Sequence, residues 1–110
     1  MKNITDEADA RVFINGELDN EALDYLLKLD GSFNAATRVH VLRCLKSIVA
    51  RLFKLAPSGD FGQAILRNDL REAVLVADNT NRYCLYLYIM FLANKVPAKR
   101  IWDARKELEG

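Results

Sequence analysis

Residues 35–56 read AATRVHVLRCLKSIVARLFKLA, and their spacing decides the fold. At about 100° per residue, Val41, Leu42, Leu45, Ile48, Val49, Leu52, Phe53 and Leu55 fall on one broad arc. His40, Arg43, Lys46, Ser47, Arg51 and Lys54 fall on the opposite one. An apolar arc of that width faces a core, so the stretch reads as the long central helix, about 35–56, of an all-α bundle. Pro57 stops it, having no N–H to give and a ring that clashes with the preceding turn.

Upstream, polar residues punctuate two further helices. Thr5, followed by Asp6 and Glu7, has the form of an N-cap with acids in the first turn, and that helix ends at Asn15-Gly16. Asp19 and Glu21 open a second, about 20–30, with Leu23, Leu26, Leu27 and Leu29 inward and Gly31 as its closing residue. Ser32 or Asn34 caps the long helix.

Downstream, Asp60 or Ser58 caps a fourth helix, about 61–77, whose apolar positions are Phe61, Ile65, Leu66, Leu70, Ala73, Val74 and Ala77. Asn68-Asp69 in its middle offers a second cap at which it can split. Asn79-Thr80-Asn81 makes a turn. The run from Tyr83 to Ala93 is apolar on all sides and would suit a strand, but only Val12-Phe13-Ile14 offers another strand-like fragment. A lone strand leaves its ladder groups unpaired, so the run reads as a buried central helix. Pro97 opens the last helix, with Ile101, Trp102, Ala104 and Leu108 as its apolar side. The expectation is a single domain, 1–110, forming one compact bundle of five to six helices.

Composition agrees. With 110 residues, 51% hydrophobic and 28% charged, the chain has material for one core and none of the bias of a disordered or low-complexity segment. The 83–93 run is about half the length of a membrane-spanning helix. The acidic start, Met1 to Asp9, does not look like a secretory signal, and two cysteines without one point to free thiols in the cytoplasm.

Charge divides along the chain. Residues 1–31 set Lys2, Arg11 and Lys28 against eight carboxylates, a net of −5, whereas residues 32–110 carry 13 basic and 7 acidic side chains, a net of +6. No acid lies between Gly31 and Gly59, so His40, Arg43, Lys46, Arg51 and Lys54 form a basic stripe able to dock phosphates or a carboxylate-rich protein surface. Alternatively the acidic first two helices lie across it, or it is a solvated face. Tyr83, Tyr86, Tyr88 and Trp102 concentrate aromatic area in the last third, either as core or as an interface, since phenolic hydroxyls need partners that a dry core rarely supplies. A homodimer burying part of this surface is expected.

Chemical motifs fail on context. Asp6-Glu7-Ala8-Asp9 spells the helicase DEAD string with no glycine-rich phosphate loop before it, and Asp60-Phe61-Gly62 spells a kinase triplet without the rest of a kinase. His40 and Cys44 stand one turn apart, but the chain has no second histidine and only Cys84 as a further thiol, too few for a structural zinc site. No catalytic residue, metal or cofactor is expected.

From Asn81 onward, a long apolar helix, a short break at Asn94 to Val96 and a short amphipathic helix resemble the tail of the all-α NTP pyrophosphohydrolases, the MazG and phosphoribosyl-ATP pyrophosphohydrolase type. The resemblance covers about 30 residues of helix arrangement. It implies a magnesium-dependent enzyme, but that family's paired acidic motifs are missing: Asn81-Arg82-Tyr83-Cys84 stands where a Glu-x-x-Asp would lie. The sequence therefore points to a non-enzymatic module that binds another protein, as an inhibitor, adaptor or regulator, through the basic stripe or the aromatic tail. The alternatives are a dimeric nucleic-acid-binding regulator using the basic face of helix 35–56, and a degenerate pyrophosphohydrolase-like protein. The neutral overall charge and the distance of the tyrosines from the stripe weigh against nucleic acid.

Overall fold

Eight helices form in the computed structural model, which describes residues 1–109: α1 (Glu7–Ile14), α2 (Asp19–Leu29), α3 (Ala35–Leu52), α4 (Asp60–Leu66), α5 (Leu70–Val76), α6 (Asn79–Tyr83), α7 (Leu85–Lys95) and α8 (Ala98–Glu109). The protein is all-α, with more and shorter helices than the five to six expected, and the reasons are local. Asp6, not Thr5, caps α1 by accepting from the Asp9 N–H at 2.8 Å. Of Ser32 and Asn34, Asn34 caps α3, accepting from Thr37 at 2.8 Å, while Ser32 bonds back to Asp30. Asp69 and Asp78 cap α5 and α6 in the same way, at 3.0 and 2.7 Å. Each such cap stabilises its helix by about 1 kcal/mol. Neither Asp60 nor Ser58 caps α4: Gly59 takes that position with no side-chain bond, and Asp60 is the first helical residue.

Two left-handed stops shorten the helices. Lys54 adopts a left-handed φ of 59°, with Leu55 N–H bonding to Ala50 O at 2.8 Å and Lys54 N–H to Arg51 O at 3.1 Å, so α3 ends at Leu52 instead of reaching 56. Asn68, also at φ 59°, repeats this closure with Asp69 N–H on Ala64 O at 2.9 Å, which splits the expected 61–77 helix into α4 and α5. The Asn79–Asn81 stretch, expected as a turn, is α6, and Cys84 separates it from α7.

α3 runs through the middle and packs on α1, α2, α4, α7 and α8. Its Val41, Leu45, Ile48 and Val49 are fully or almost fully buried among Phe13, Leu26, Leu66, Leu87 and Phe91. The molecule measures 37 × 33 × 19 Å, and the shortest dimension is about two helix diameters. In so thin a slab every outer helix keeps one open side. That is why the 83–93 run is not the buried central helix expected of it: Leu87, Tyr88, Phe91 and Leu92 face the core, while Tyr86, Ile89 and Met90 face outward.

The residues before α1 are strapped to the end of α7. Ile4 is fully buried and its N–H donates to Lys95 O at 2.7 Å; the Lys95 ammonium donates to Met1 O at 2.7 Å. Asp9 holds the strap from its other side, accepting from Thr5 Oγ1 at 2.8 Å, Thr5 N–H at 3.1 Å and Lys2 Nζ at 3.2 Å. These donors, the Thr5 hydroxyl foremost, hold its carboxyl down at about 2 from an ordinary 3.8. Because the folded value is the lower, the stabilisation is complete above the ordinary value and disappears as pH falls toward about 2. The Ile4 amide should therefore lose hydrogen-exchange protection over that acid range in the native protein. In Asp9→Asn the protection should already be reduced and nearly flat with pH; an unchanged profile would refute the strap.

Candidate functional site

The basic stripe comes together on one face of α3, but it is largely occupied from within. Lys46 Nζ lies 2.8 Å from Asp19 at the start of α2, and Lys54 and Arg51 reach Glu107 of α8 at 2.8 and 3.5 Å. His40 Nε2 is 3.4 Å from the Asp78 carboxylate. The hydrogen bond from Lys54 holds the Glu107 carboxyl below its ordinary value. Arg43 alone of the five stripe residues has no ion pair among the described residues. The acidic leading segment thus covers the stripe only at Lys46; Glu107 of α8 pairs two of the other residues and Asp78 a third. Exposed pairs of this kind are each worth at most about 1 kcal/mol, but they cancel the field that would draw a distant phosphate.

The four aromatic candidates part company. Tyr88 belongs to the core, fully buried, and donates its hydroxyl to Asn81 Oδ1 at 2.5 Å. Burial pushes its phenol far above the ordinary range, so it stays a donor. Tyr86 is half-exposed and leans on Phe33, with ring centroids 6.2 Å apart, and Tyr83 is the most exposed large apolar side chain of the described residues. Trp102 is 52% exposed and stands at the lip of a groove.

That groove was not visible as a site in the sequence. α7 leans on α2 and α3, and α8 on α3 and α4, so α7 and α8 diverge from the corner at Val96–Pro97. The wedge between them holds about 360 Å³, floored by Ile65 and Leu66 of α4 and walled by Ile89, Leu92 and Ala93 on one side and Ala98, Ile101, Trp102 and Arg105 on the other. A second hollow of about 170 Å³, lined by Leu70, Ala73 and Leu85, meets it at Ile65, Asn68 and Ile89. Leu70 of α5, which lines that second hollow, extends the apolar surface at 67% exposure. Leu70 and Val74, expected to face inward, do not, because the left-handed turn at Asn68 redirects α5 so that only Ala73 among its residues is buried. The signal that could have exposed this face is α5 itself, where Val74, Leu75 and Val76 leave it little polar side. A contiguous apolar face of this kind on a small protein marks an interaction site more often than isolated exposed residues do.

The remaining cluster lies on the other side of α3. His40 Nε2 is 3.9 Å from Cys44 Sγ, and the Asn81 amide donates to the same sulfur at 3.9 Å. A cleft of about 140 Å³ opens beside it, lined by Ser47, Phe61 and Gly62. One imidazole nitrogen faces both Asp78 and Cys44, whereas a nucleophile-activating histidine needs its two nitrogens divided between carboxylate and thiol. Asn81, at the place of the missing pyrophosphohydrolase motif, is bonded to Tyr88, and Arg82 donates to Val74 O at 2.8 Å. No group of three or more metal-ligating side chains converges among the described residues.

Comparisons with protein-family models, with curated proteins and with solved structures found no match. No helix among the described residues is long and apolar enough to cross a membrane.

Proposed function

We propose that the protein is a non-enzymatic binding module of the inhibitor, adaptor or regulator type, and that it works by receiving a helix of a partner protein in the wedge between α7 and α8. The single observation that carries this reading is the open apolar groove of about 360 Å³ with Trp102 at its lip. A trough between two diverging helices, lined with hydrocarbon, has the shape and chemistry that helix-in-groove recognition uses. The exposed aliphatic residues on α5 and α7 lengthen it beyond what a small metabolite would need. The free thiols Cys44 and Cys84 support a reducing compartment such as the cytoplasm.

Photo-crosslinking tests the location. A photoreactive amino acid placed at 89 or 102 should join the protein to a partner in the native cell, and the same group at 43 or 46 should not. The crosslinked protein, once purified, should bind the unmodified chain directly. Crosslinks confined to 43 and 46 would return the working surface to α3.

A further inference from the structure

We infer that His40 and Cys44 of α3 form a site for a soft monovalent cation of the copper(I) class, independent of the α7–α8 groove, whose lining it does not share. The two donors stand one turn apart on the longest helix, with His40 Nε2 3.9 Å from Cys44 Sγ. Bonds from a metal of about 2.3 Å to thiolate sulfur and about 2.0 Å to imidazole nitrogen add to about 4.3 Å, so one ion fits between them in a bent arrangement without movement of the backbone. A structural zinc site needs four donors, and no group of three or more forms among the described residues. Copper(I) is satisfied by two, and its softness matches thiolate with imidazole. On binding, the Cys44 thiol gives its proton to water, Nε2 presents its lone pair, and no electron is transferred. The thiolate and the monovalent cation neutralise each other, so the half-buried position holds no uncompensated charge.

The groups around the pair are already fixed. The Asn81 amide donates to Cys44 Sγ at 3.9 Å, and Asn81 is buried, with its carbonyl oxygen held by the Tyr88 hydroxyl and its N–H by Asp78 Oδ1 at 2.7 Å. Asp78 Oδ2, 3.4 Å from His40 Nε2, sets a negative charge beside the ion. Outer partners of this kind orient metal ligands. Entry is open, because the His40 side chain is 30% exposed and Cys44 lines the cleft of about 140 Å³. Cys84, the other thiol, is fully buried.

His40 is the only histidine, so the proton resonances of its imidazole report coordination in the unaltered chain. The test adds copper(I), and separately silver(I), to the reduced full chain without oxygen. One equivalent of either should shift the His40 resonances and protect Cys44, mapped by mass spectrometry, from alkylation by iodoacetamide. Competition against a chromophoric copper(I) chelator then gives the affinity, which Cys44→Ser and His40→Ala should each weaken at least about tenfold and Cys84→Ser should leave within about threefold. Circular dichroism checks that the variants fold, and the resonance and alkylation measurements need no variant. Imidazole resonances unmoved at one equivalent would overturn the inference, as would protection that falls on Cys84. Affinity unchanged in His40→Ala would reduce the site to a single thiol, with the same consequence. Zinc(II) displacing copper(I) with a doubling of mass would assign the pair to a four-donor site shared by two copies and overturn it as well.

Discussion

Phe91→Ala should unfold the protein at markedly lower denaturant concentration, with a loss of about 3–5 kcal/mol. Phe91 is fully buried, and its ring packs against Phe13 of α1 at 5.6 Å and edge-on to Tyr25 of α2 at 5.9 Å. It therefore joins three helices whose own lengths, 8 to 11 residues, are too short for stability in isolation. Removing the ring leaves a cavity that these helices cannot close without giving up the strap at Ile4, since Lys95 O, one turn further along α7, is its anchor. Total stability of such a domain is about 5–15 kcal/mol, so a substitution of this size consumes much of it. Urea unfolding monitored by circular dichroism gives the measurement. Tyr86→Ala is the internal control: half-exposed and touching chiefly Phe33, it should cost a fraction of that amount. If the two substitutions proved equally costly, the assignment of inner and outer faces of α7 would be wrong.

Ile89→Asp should weaken partner binding by roughly 30-fold or more, the effect of losing about 2 kcal/mol at a central contact. Ile89 is one of the three residues shared by both hollows, and at 47% exposure it already keeps much of its surface in water. A carboxylate there would be desolvated by any apolar occupant and would find no partner among Leu92, Ile101 and Ile65. The fold should tolerate the change with a loss near 1 kcal/mol, because the side chain bridges no buried neighbours across the core. The contrasting variant is Arg43→Glu, which reverses the one stripe cation without an internal ion pair among the described residues. It should change affinity for the crosslinked partner by less than about threefold. Calorimetric titration of both variants separates the surfaces: loss with Arg43→Glu and none with Ile89→Asp would place the contact on α3.

The basic stripe shows where reading a sequence stops. Its five members do share one face of α3, as spacing required, and their charge was correctly counted. What neutralises them comes from Asp19, Asp78 and Glu107, which lie 27, 38 and 56 or 53 residues away along the chain from their partners. Nothing in local periodicity tells which distant carboxylate will arrive. The aromatic residues show the same divide within a single helix. Tyr86 and Tyr88 are two positions apart in one apolar run, yet one leans outward on Phe33 and the other is sealed against Asn81.

Sequence alone determined the all-α class, the position of the long helix, the Asn15-Gly16 ending, the split available at Asn68-Asp69 and the start of the last helix after Pro97. These depend on side chains acting within a turn or two of their own backbone, through caps, dipoles and the helical repeat. Only the tertiary structure decided the left-handed stop at Lys54, the side of α7 left open and the groove beside Trp102. A lysine enters that conformation when the segment after it gains burial by turning back, and a helix apolar all round shows its outer side only once the slab is seen to be two layers thick. Both are properties of how separate helices share one core, which no single stretch of the chain contains.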